Sequence, residues 1–320
     1  MNIVYSSDDK FIRHIYVSIA SLLETNAQND LHIYIIDNEI SRDNKEVLKK
    51  LAEGYGKYIE FLPFDKIRNE IEGAALWGNS LSAYGRLFVG RYLDADKALY
   101  LDGDSVIVDD LSTLYDIDLS DWALAAVQDT AGPTYRMGVG LSYDEKYINT
   151  GMILINLKKW REDNLEKKFI DFIKKYNGQV PCCDQGTING VCRGKILIIA
   201  PKYNLMTPML TFKSDEIKRF FEISEYYTDN ELIDAREHSV FIHYVGGFYI
   251  QPWFINGDHP KSEIYRKYME KSPWKGDYFP AKDLGMRTKL LKMAYYHLPF
   301  SVFVFLHRSV RNIKRVGLRT

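Results

Sequence analysis

Lys97-Ala98-Leu99-Tyr100-Leu101-Asp102-Gly103-Asp104-Ser105-Val106-Ile107 reads as a buried apolar strand ending in two carboxylates, one residue apart, at a glycine-containing turn. Carboxylates placed this way can hold one hard divalent cation, and the cation can hold a pyrophosphate. Mg²⁺ and Mn²⁺ favour oxygen ligands and are commonly bound by one or two carboxylates plus substrate phosphates. Asp-x-Asp by itself decides nothing, because Asp94-Ala95-Asp96 and Asp116-Ile117-Asp118 repeat it elsewhere. Position separates the pair Asp102 and Asp104. It lies at the carboxyl end of a strand, where open α/β sheets place their ligands. The competing reading is a plain acidic turn.

Strands and helices alternate on both sides of this run. Asn2 to Ser7, Leu31 to Asp37, Ile59 to Leu62, Ala123 to Val127, Met152 to Asn156 and Lys195 to Ile199 have the short apolar pattern of buried strands. Ile12 to Glu24, Lys45 to Glu53, a segment opening at Ser82, and Leu165 to Tyr176 read as helices. The alternation predicts βαβ units and a single Rossmann-like α/β domain with a mainly parallel central sheet. At 320 residues, 46% hydrophobic and 27% charged, the chain has ample material for such a core. No repeat or linker precedes about Tyr278, so a main domain over 1–277 and a tail over 278–320 are expected.

The tail differs in kind from the body. From Lys282 to Thr320 there are nine Lys and Arg against the single acid Asp283, a net of +8. The remainder holds 33 basic and 42 acidic residues, a net of −9, and together they give the chain's −1. Residues 293–306 are apolar and aromatic, too short to span a bilayer and interrupted by Pro299. Arg287, Lys289 and Lys292 precede that run, and Arg308, Arg311, Lys314 and Arg315 follow it. An apolar segment between cationic clusters suits a helical tail lying on an anionic membrane surface. The alternative is a C-terminal helix packed on the domain with its charges solvated.

No secretory pattern opens the sequence, since Met1-Asn2-Ile3-Val4-Tyr5 runs straight into a strand. Cys182, Cys183 and Cys192 fit neither a disulfide framework nor a zinc motif, as expected of reduced thiols in a cytoplasmic protein. Nothing supports nucleic-acid recognition, because the basic region is terminal and lacks a stacking platform.

A cation held by two carboxylates usually needs another protein ligand. His243, after the strand-like run Val240-Phe241-Ile242, offers an imidazole, which Mn²⁺ accepts as a borderline ligand. Gly246 and Gly247 follow it and would let backbone approach a phosphate closely. A histidine at a strand end is also simply a polar residue near a turn; its interest comes from these glycines and from Gln251-Pro252-Trp253 beyond them.

Taken in order, these blocks resemble glycosyltransferase family 8, retaining α-glycosyltransferases that include bacterial lipopolysaccharide galactosyl- and glucosyltransferases and the glycogenins. The resemblance covers roughly residues 1–255. Asn2 to Asp9 looks like the family's first strand and uridine-binding turn, Ser82 to Leu87 like its Ser-x-x-x-Arg-Leu helix, and Tyr100 to Asp104 like its metal motif. Tyr147 to Met152 with Asn156 to Trp160 looks like its Phe-Asn-x-Gly block and continuation, and Asp184-Gln185 like the Asp-Gln of its reaction centre.

The resemblance implies a glycosyltransferase A-type nucleotide-sugar domain that transfers a hexose, galactose or glucose, from a UDP-sugar to a lipid-linked or cell-surface glycan. Asp8 would accept from the uracil ring, and Arg86 would sit by the nucleotide or donor sugar. Asp102, Asp104 and His243 would ligate Mn²⁺ (or Mg²⁺) on the donor diphosphate, with Gly103 in the same turn. Asn149, Asp184 and Gln185 would contact the transferred sugar, Gln185 nearest its anomeric carbon. Asp129 stands where the family puts a sugar-contacting carboxylate, and Gly246 would let backbone meet the β-phosphate. An amide is a poor nucleophile, so attack by the acceptor from the leaving-group face fits Gln185 better than double displacement. The enzyme is expected to work in the cytoplasm, peripheral to the inner face of the membrane.

Two positions depart from the family pattern. The stretch from Gly246 to Pro252 is two residues longer than usual, and Gln251 stands where a lysine is expected. Gly186 stands where an acid usually follows Asp-Gln, which predicts one polar contact fewer in the donor pocket. Retained activity with altered donor or acceptor preference is expected, and Gln251 with the added residues supports an alternative, a catalytically impaired, membrane-associated nucleotide- or glycan-binding protein on the same scaffold. A haloacid-dehalogenase-type phosphatase would carry its Asp-x-Asp near the chain start. A nucleotidyltransferase would want a basic, glycine-rich loop where Ser6-Ser7-Asp8-Asp9 stands.

Overall fold

The structure, a computed structural model, describes residues 1–317, with side chains to residue 308. Ten strands form among them: β1 (Asn2–Asp8), β2 (His32–Asn38), β3 (Ile59–Pro63), β4 (Lys97–Leu101), β5 (Ser105–Ile107), β6 (Leu124–Gln128), β7 (Ile148–Asn156), β8 (Ile196–Ile198), β9 (Leu205–Met206) and β10 (Phe241–His243). Seven make a central sheet in the order β3-β2-β1-β4-β7-β6-β8. All run parallel except β7, which lies antiparallel to both its neighbours. The mainly parallel α/β sheet expected from the sequence is therefore present, with each of the seven strands at its predicted place.

These strands are apolar on both sides because both faces of the sheet are covered. Successive side chains alternate between the faces. Ile3, Tyr5, Leu99, Leu101, Met152 and Leu154 join one core, while Val4, Ala98, Tyr100, Ile153 and Ile155 join the other. On the first face, helix Ile12–Thr25 lies between the central sheet and a small sheet of order β5-β10-β9. Its serines are bonded to β5: Ser18 Oγ is 3.1 Å from Ser105 Oγ, and the Ile107 N–H donates to Ser21 Oγ at 2.9 Å. On the second face, helix Leu165–Lys175 buries Leu165, Phe169 and Ile173, a stripe at four-residue spacing. The segment opening at Ser82 is a tight 3₁₀ run to Phe88, followed by a short α-helix, Val89–Tyr92.

Chain order explains where the site falls. From β1 the chain moves outward through β2 to β3, then returns to lay β4 on the other side of β1. The carboxyl ends of β1 and β4 thus flank a topological switch point, the usual ligand crevice of an open α/β sheet. Antiparallel β7 brings its amino end to the same edge, with Leu101 paired to Met152 and the Asp102 N–H donating to the Gly151 carbonyl at 2.7 Å.

The apolar run of the tail is split at Pro299 into helices Gly285–His297 and Phe300–Gly317. Part of it packs on the body: Phe303 is stacked on Phe220 at 5.3 Å and is 1% exposed. The Gly246–Pro252 loop meets it, since Phe248 packs against Tyr295 and Phe303. Met286, Leu290, Met293, Tyr296, Val302 and Phe305 remain exposed on these helices. No helix among the described residues is long and apolar enough to cross a membrane. The side chains of Arg311, Lys314 and Arg315 lie outside the described residues.

Candidate active site

A cavity of about 650 Å³ opens at the switch point, in the size range of small-molecule sites. Asp8 enters it from the end of β1. One of its oxygens is committed, Oδ1 accepting from the Lys10 and Phe11 N–H groups, which caps the following turn. A carboxylate has a second oxygen to offer a ligand.

Asp102, Gly103 and Asp104 line the cavity floor between β4 and β5. β5 pairs antiparallel with β10, setting Ser105 opposite His243, so the small sheet delivers an imidazole 139 residues distant to the acidic pair. His243 Nε2 is 3.2 Å from Asp104 Oδ1 and 3.9 Å from Asp102 Oδ2. One ligand atom from each residue falls within 4.8 Å of the others. The Cε1 and Nδ1 atoms of the ring lie against Gly151, where a Cβ would come 2.2 Å from His243 Cε1. Only glycine leaves room for the imidazole in that position.

Electrostatics agree with a cation site. Burial pushes the Asp102 carboxyl above its ordinary range, and the Asp104 charge adds to this against the pull of Arg86. Burial acts on Asp104 too, but His243 outweighs it and holds that carboxyl low. Burial disfavours the imidazolium of His243, but the charge and hydrogen bond of Asp104 together with the Asp102 charge outweigh it and raise the group. Two carboxylate oxygens and one imidazole nitrogen suit a divalent cation such as Mn²⁺ or Mg²⁺.

Arg86 binds the floor together from below. Its guanidinium is 2.7 Å from Asp102 Oδ1 and 3.0 Å from Asp184 Oδ2, donates to the Ala83 and Thr150 carbonyls, and lies 4.4 Å over the Tyr100 ring. The side chain is 5% exposed, so it acts first on Asp102 and Asp184, though it also lines the cavity.

The other wall comes from helix Cys183–Val191 and the start of β7. Cys182 and Cys183 both sit in the left-handed backbone region, φ 59° and 51°, at a cost of about 1–3 kcal/mol each. The turn they make aims the first helical residues, Asp184 and Gln185, into the cavity. Burial, then the neighbouring Asp102 charge, pushes the Asp184 carboxyl up to about 6 despite Arg86. Gln185 Nε2 donates to Asp129 Oδ2 at 3.1 Å, as does Asn149 Nδ2 at 3.0 Å, and the Thr150 N–H donates to Gln185 Oε1 at 3.2 Å. Asp129 thus stands behind Asn149 and Gln185 and orients both amides.

Gly246 lines the cavity with open space at its α-carbon, and Gln251 and Trp253 lie beside it. Gly186 is turned away. A Cβ there would lie 1.9 Å from the Pro181 carbonyl oxygen, so tight packing at this point excludes an acid, and its absence removes no group from the cavity wall. Trp77, Thr150 and Tyr100 also line the cavity, though none of them is assigned a role from the sequence. For Trp77 a signal existed: Trp77-Gly78-Asn79-Ser80 is turn chemistry carrying a large aromatic side chain, 63% exposed.

The model of the family described as glycosyl transferase family 8 matches residues 2–256. The chain belongs to that family. Among its relatives is a putative glycosyltransferase of Haemophilus influenzae, 34% identical over 209 residues, a match spanning 64% of this chain and 63% of that protein. The lipopolysaccharide 1,2-glucosyltransferase of Escherichia coli K12 is 28% identical over 87% of this chain and 80% of its own length. A solved structure of the galactosyltransferase LgtC, in complex with donor and acceptor sugar analogues, superposes with a TM-score of 0.72 at 26% identity, covering 85% of this chain and 96% of that one. The family 8 chain thus has the LgtC-like fold, with a site that fits a divalent cation and a nucleotide-sugar donor.

Proposed function

We propose that this family 8 chain is a retaining hexosyltransferase that moves galactose or glucose from a UDP-sugar to a lipid-linked or surface glycan at the cytoplasmic face of a membrane. The observation that carries the reading is the convergence of Asp102, Asp104 and His243 on one point of a cavity whose other wall presents Asn149, Asp184 and Gln185. The names of its relatives, lipopolysaccharide glucosyl- and galactosyltransferases, support the hexose and the glycan acceptor.

A bound Mn²⁺ would supply Lewis-acid charge to the departing diphosphate. Asp8 holds the uracil end, and the backbone at Gly246 approaches the phosphates. Asn149 and Gln185, fixed by Asp129, hold the hexose. Asp184 is an unsuitable nucleophile, because Arg86 and Thr150 Oγ1 engage its Oδ2 and its side chain is 7% exposed. Same-face attack, the acceptor proton passing to a leaving phosphate oxygen, is the route these residues support. Purified protein is expected to release UDP from UDP-galactose or UDP-glucose with Mn²⁺ and to stop in EDTA. If neither donor is turned over while UDP still binds with Mn²⁺, the binding-protein alternative takes its place.

Membrane attachment rests on the apolar side chains left exposed on the two C-terminal helices beside Arg287, Lys289 and Arg308. Wild-type protein is expected to sediment with anionic vesicles at low salt and not with zwitterionic ones. Met293→Ser with Phe305→Ser should weaken this about tenfold or more, given about 1.5–3 kcal/mol for each large apolar side chain buried. Protein that stays in the supernatant with anionic vesicles would remove the membrane from the proposal.

A further inference from the structure

A departing nucleoside diphosphate carries more negative charge than one divalent cation cancels, so positive side chains are needed along its path. The cations lining the cavity are Lys10 and Arg86. Arg86 is held between Asp102 and Asp184, and Lys10 is next to Asp8, at the nucleoside end. On the wall formed by His243, Gly246 and Gln251 the lining residues include no lysine or arginine.

A lysine from a later part of the chain stands directly behind that wall. Lys282 Nζ donates to Gln251 Oε1 at 2.9 Å and lies 5.0 Å over the Phe254 ring. Its backbone is fixed to the same loop. The Phe279 N–H donates to the Trp253 carbonyl at 2.9 Å, and the Ile255 N–H to the Phe279 carbonyl at 3.0 Å. The Lys282 N–H donates to Asn256 Oδ1 at 2.9 Å, and Asn256 Nδ2 to the Lys282 carbonyl at 3.0 Å. Residues 279–282 are thereby zipped to 253–256, against the cavity residues Gln251 and Trp253.

We propose that Lys282 is a positioning residue of this site, holding Gln251 from behind the wall and backing it with positive charge toward the donor diphosphate. The inference rests on the nucleotide-sugar reading above. Lys282 occupies the Gln251 carbonyl oxygen, which leaves the amide NH₂ of Gln251, a cavity-lining residue, to donate to phosphate oxygens. Residues 279–282 then support the active site from behind, although they lie beyond the family match. The glutamine at 251 is half of a two-residue device rather than a loss.

The test compares wild type, Lys282→Ala, Lys282→Arg, and Lys282→Ala combined with Gln251→Lys. Three readouts are needed: Mn²⁺ binding alone by electron paramagnetic resonance, affinity for UDP and for uridine with Mn²⁺ by calorimetry, and UDP-sugar turnover. Lys282→Ala should lower kcat/KM about 10- to 100-fold and weaken UDP about tenfold, leaving Mn²⁺ and uridine unchanged. Lys282→Arg should retain most activity, and Gln251→Lys should restore the alanine variant to within about threefold. Wild-type UDP affinity and turnover in Lys282→Ala would overturn the proposal. A wild type that binds UDP but turns over no donor would sink the transferase reading alone, and the UDP affinities would still decide the role of Lys282.

Discussion

Asp104→Ala is expected to reduce metal-dependent UDP release by at least about 10²- to 10³-fold, equivalent to about 3–4 kcal/mol of transition-state stabilisation. The size follows from how the two carboxylates are used. Asp102 gives Oδ1 to Arg86 and has Oδ2 left for a cation, whereas the carboxylate of Asp104 faces only His243 among the hydrogen-bond and ion-pair partners of the floor. Asp104 is therefore the less committed ligand, and its loss leaves one carboxylate oxygen and one imidazole. Asp104→Asn keeps the shape and one acceptor oxygen but not the charge, and should fall between. Mn²⁺ affinity measured without donor separates a lost ligand from a lost fold, and thermal melts in EDTA check the latter. A metal-dependent rate within threefold of wild type would show that the acidic pair is an ordinary turn.

How far the sequence exposes this site depends on which interactions are local. The inner strands of the central sheet are legible because a strand covered on both faces writes itself as an apolar run, and edge strand β3 is short and broken by exposed Glu60. The direction of β7 is not legible, since Met152 to Asn156 would be equally apolar in either sense. Without that direction, nothing in the sequence says that Asn149 and Gly151 reach the Asp102 turn. From the sequence the strand ends at the Asp102 turn and nothing is assigned to residues 105–107, which form a separate three-residue strand whose partner is β10. Three residues carry too little periodicity to reveal such a pairing, so the sequence shows His243 as a strand-end histidine before two glycines and does not show that β5 brings it to the acidic pair. Lys282 is the extreme case. Its place at the start of a basic stretch suggests a lipid surface, and only the zipped segments 253–256 and 279–282 put it behind the cavity wall at Gln251.

Arg86→Ala is expected to cost about 3–5 kcal/mol of stability at pH 8, the usual consequence of leaving a buried charge without its partner. Here two carboxylates lose the same cation, and a protein of ordinary stability has about 5–15 kcal/mol in all. The loss depends on pH, and its sign can be worked out. Asp184 titrates at about 6 even with Arg86 present, because burial disfavours its charge. Removing the guanidinium raises it further and raises Asp102 with it. A carboxyl whose folded pKa lies above its unfolded value binds more protons folded than unfolded, so stability falls as pH rises. The deficit should therefore shrink between pH 8 and pH 5.5, as both groups take up protons and shed the buried charge. Urea unfolding of wild type and variant at the two pH values measures it directly. Arg86→Lys should recover only part of the loss, since a point charge cannot span two carboxylates and two carbonyls as a planar fork does. A deficit below about 1 kcal/mol at pH 8, or one equal at both pH values, would mean that the carboxylates find other compensation and that Arg86 does not hold the floor of the site together.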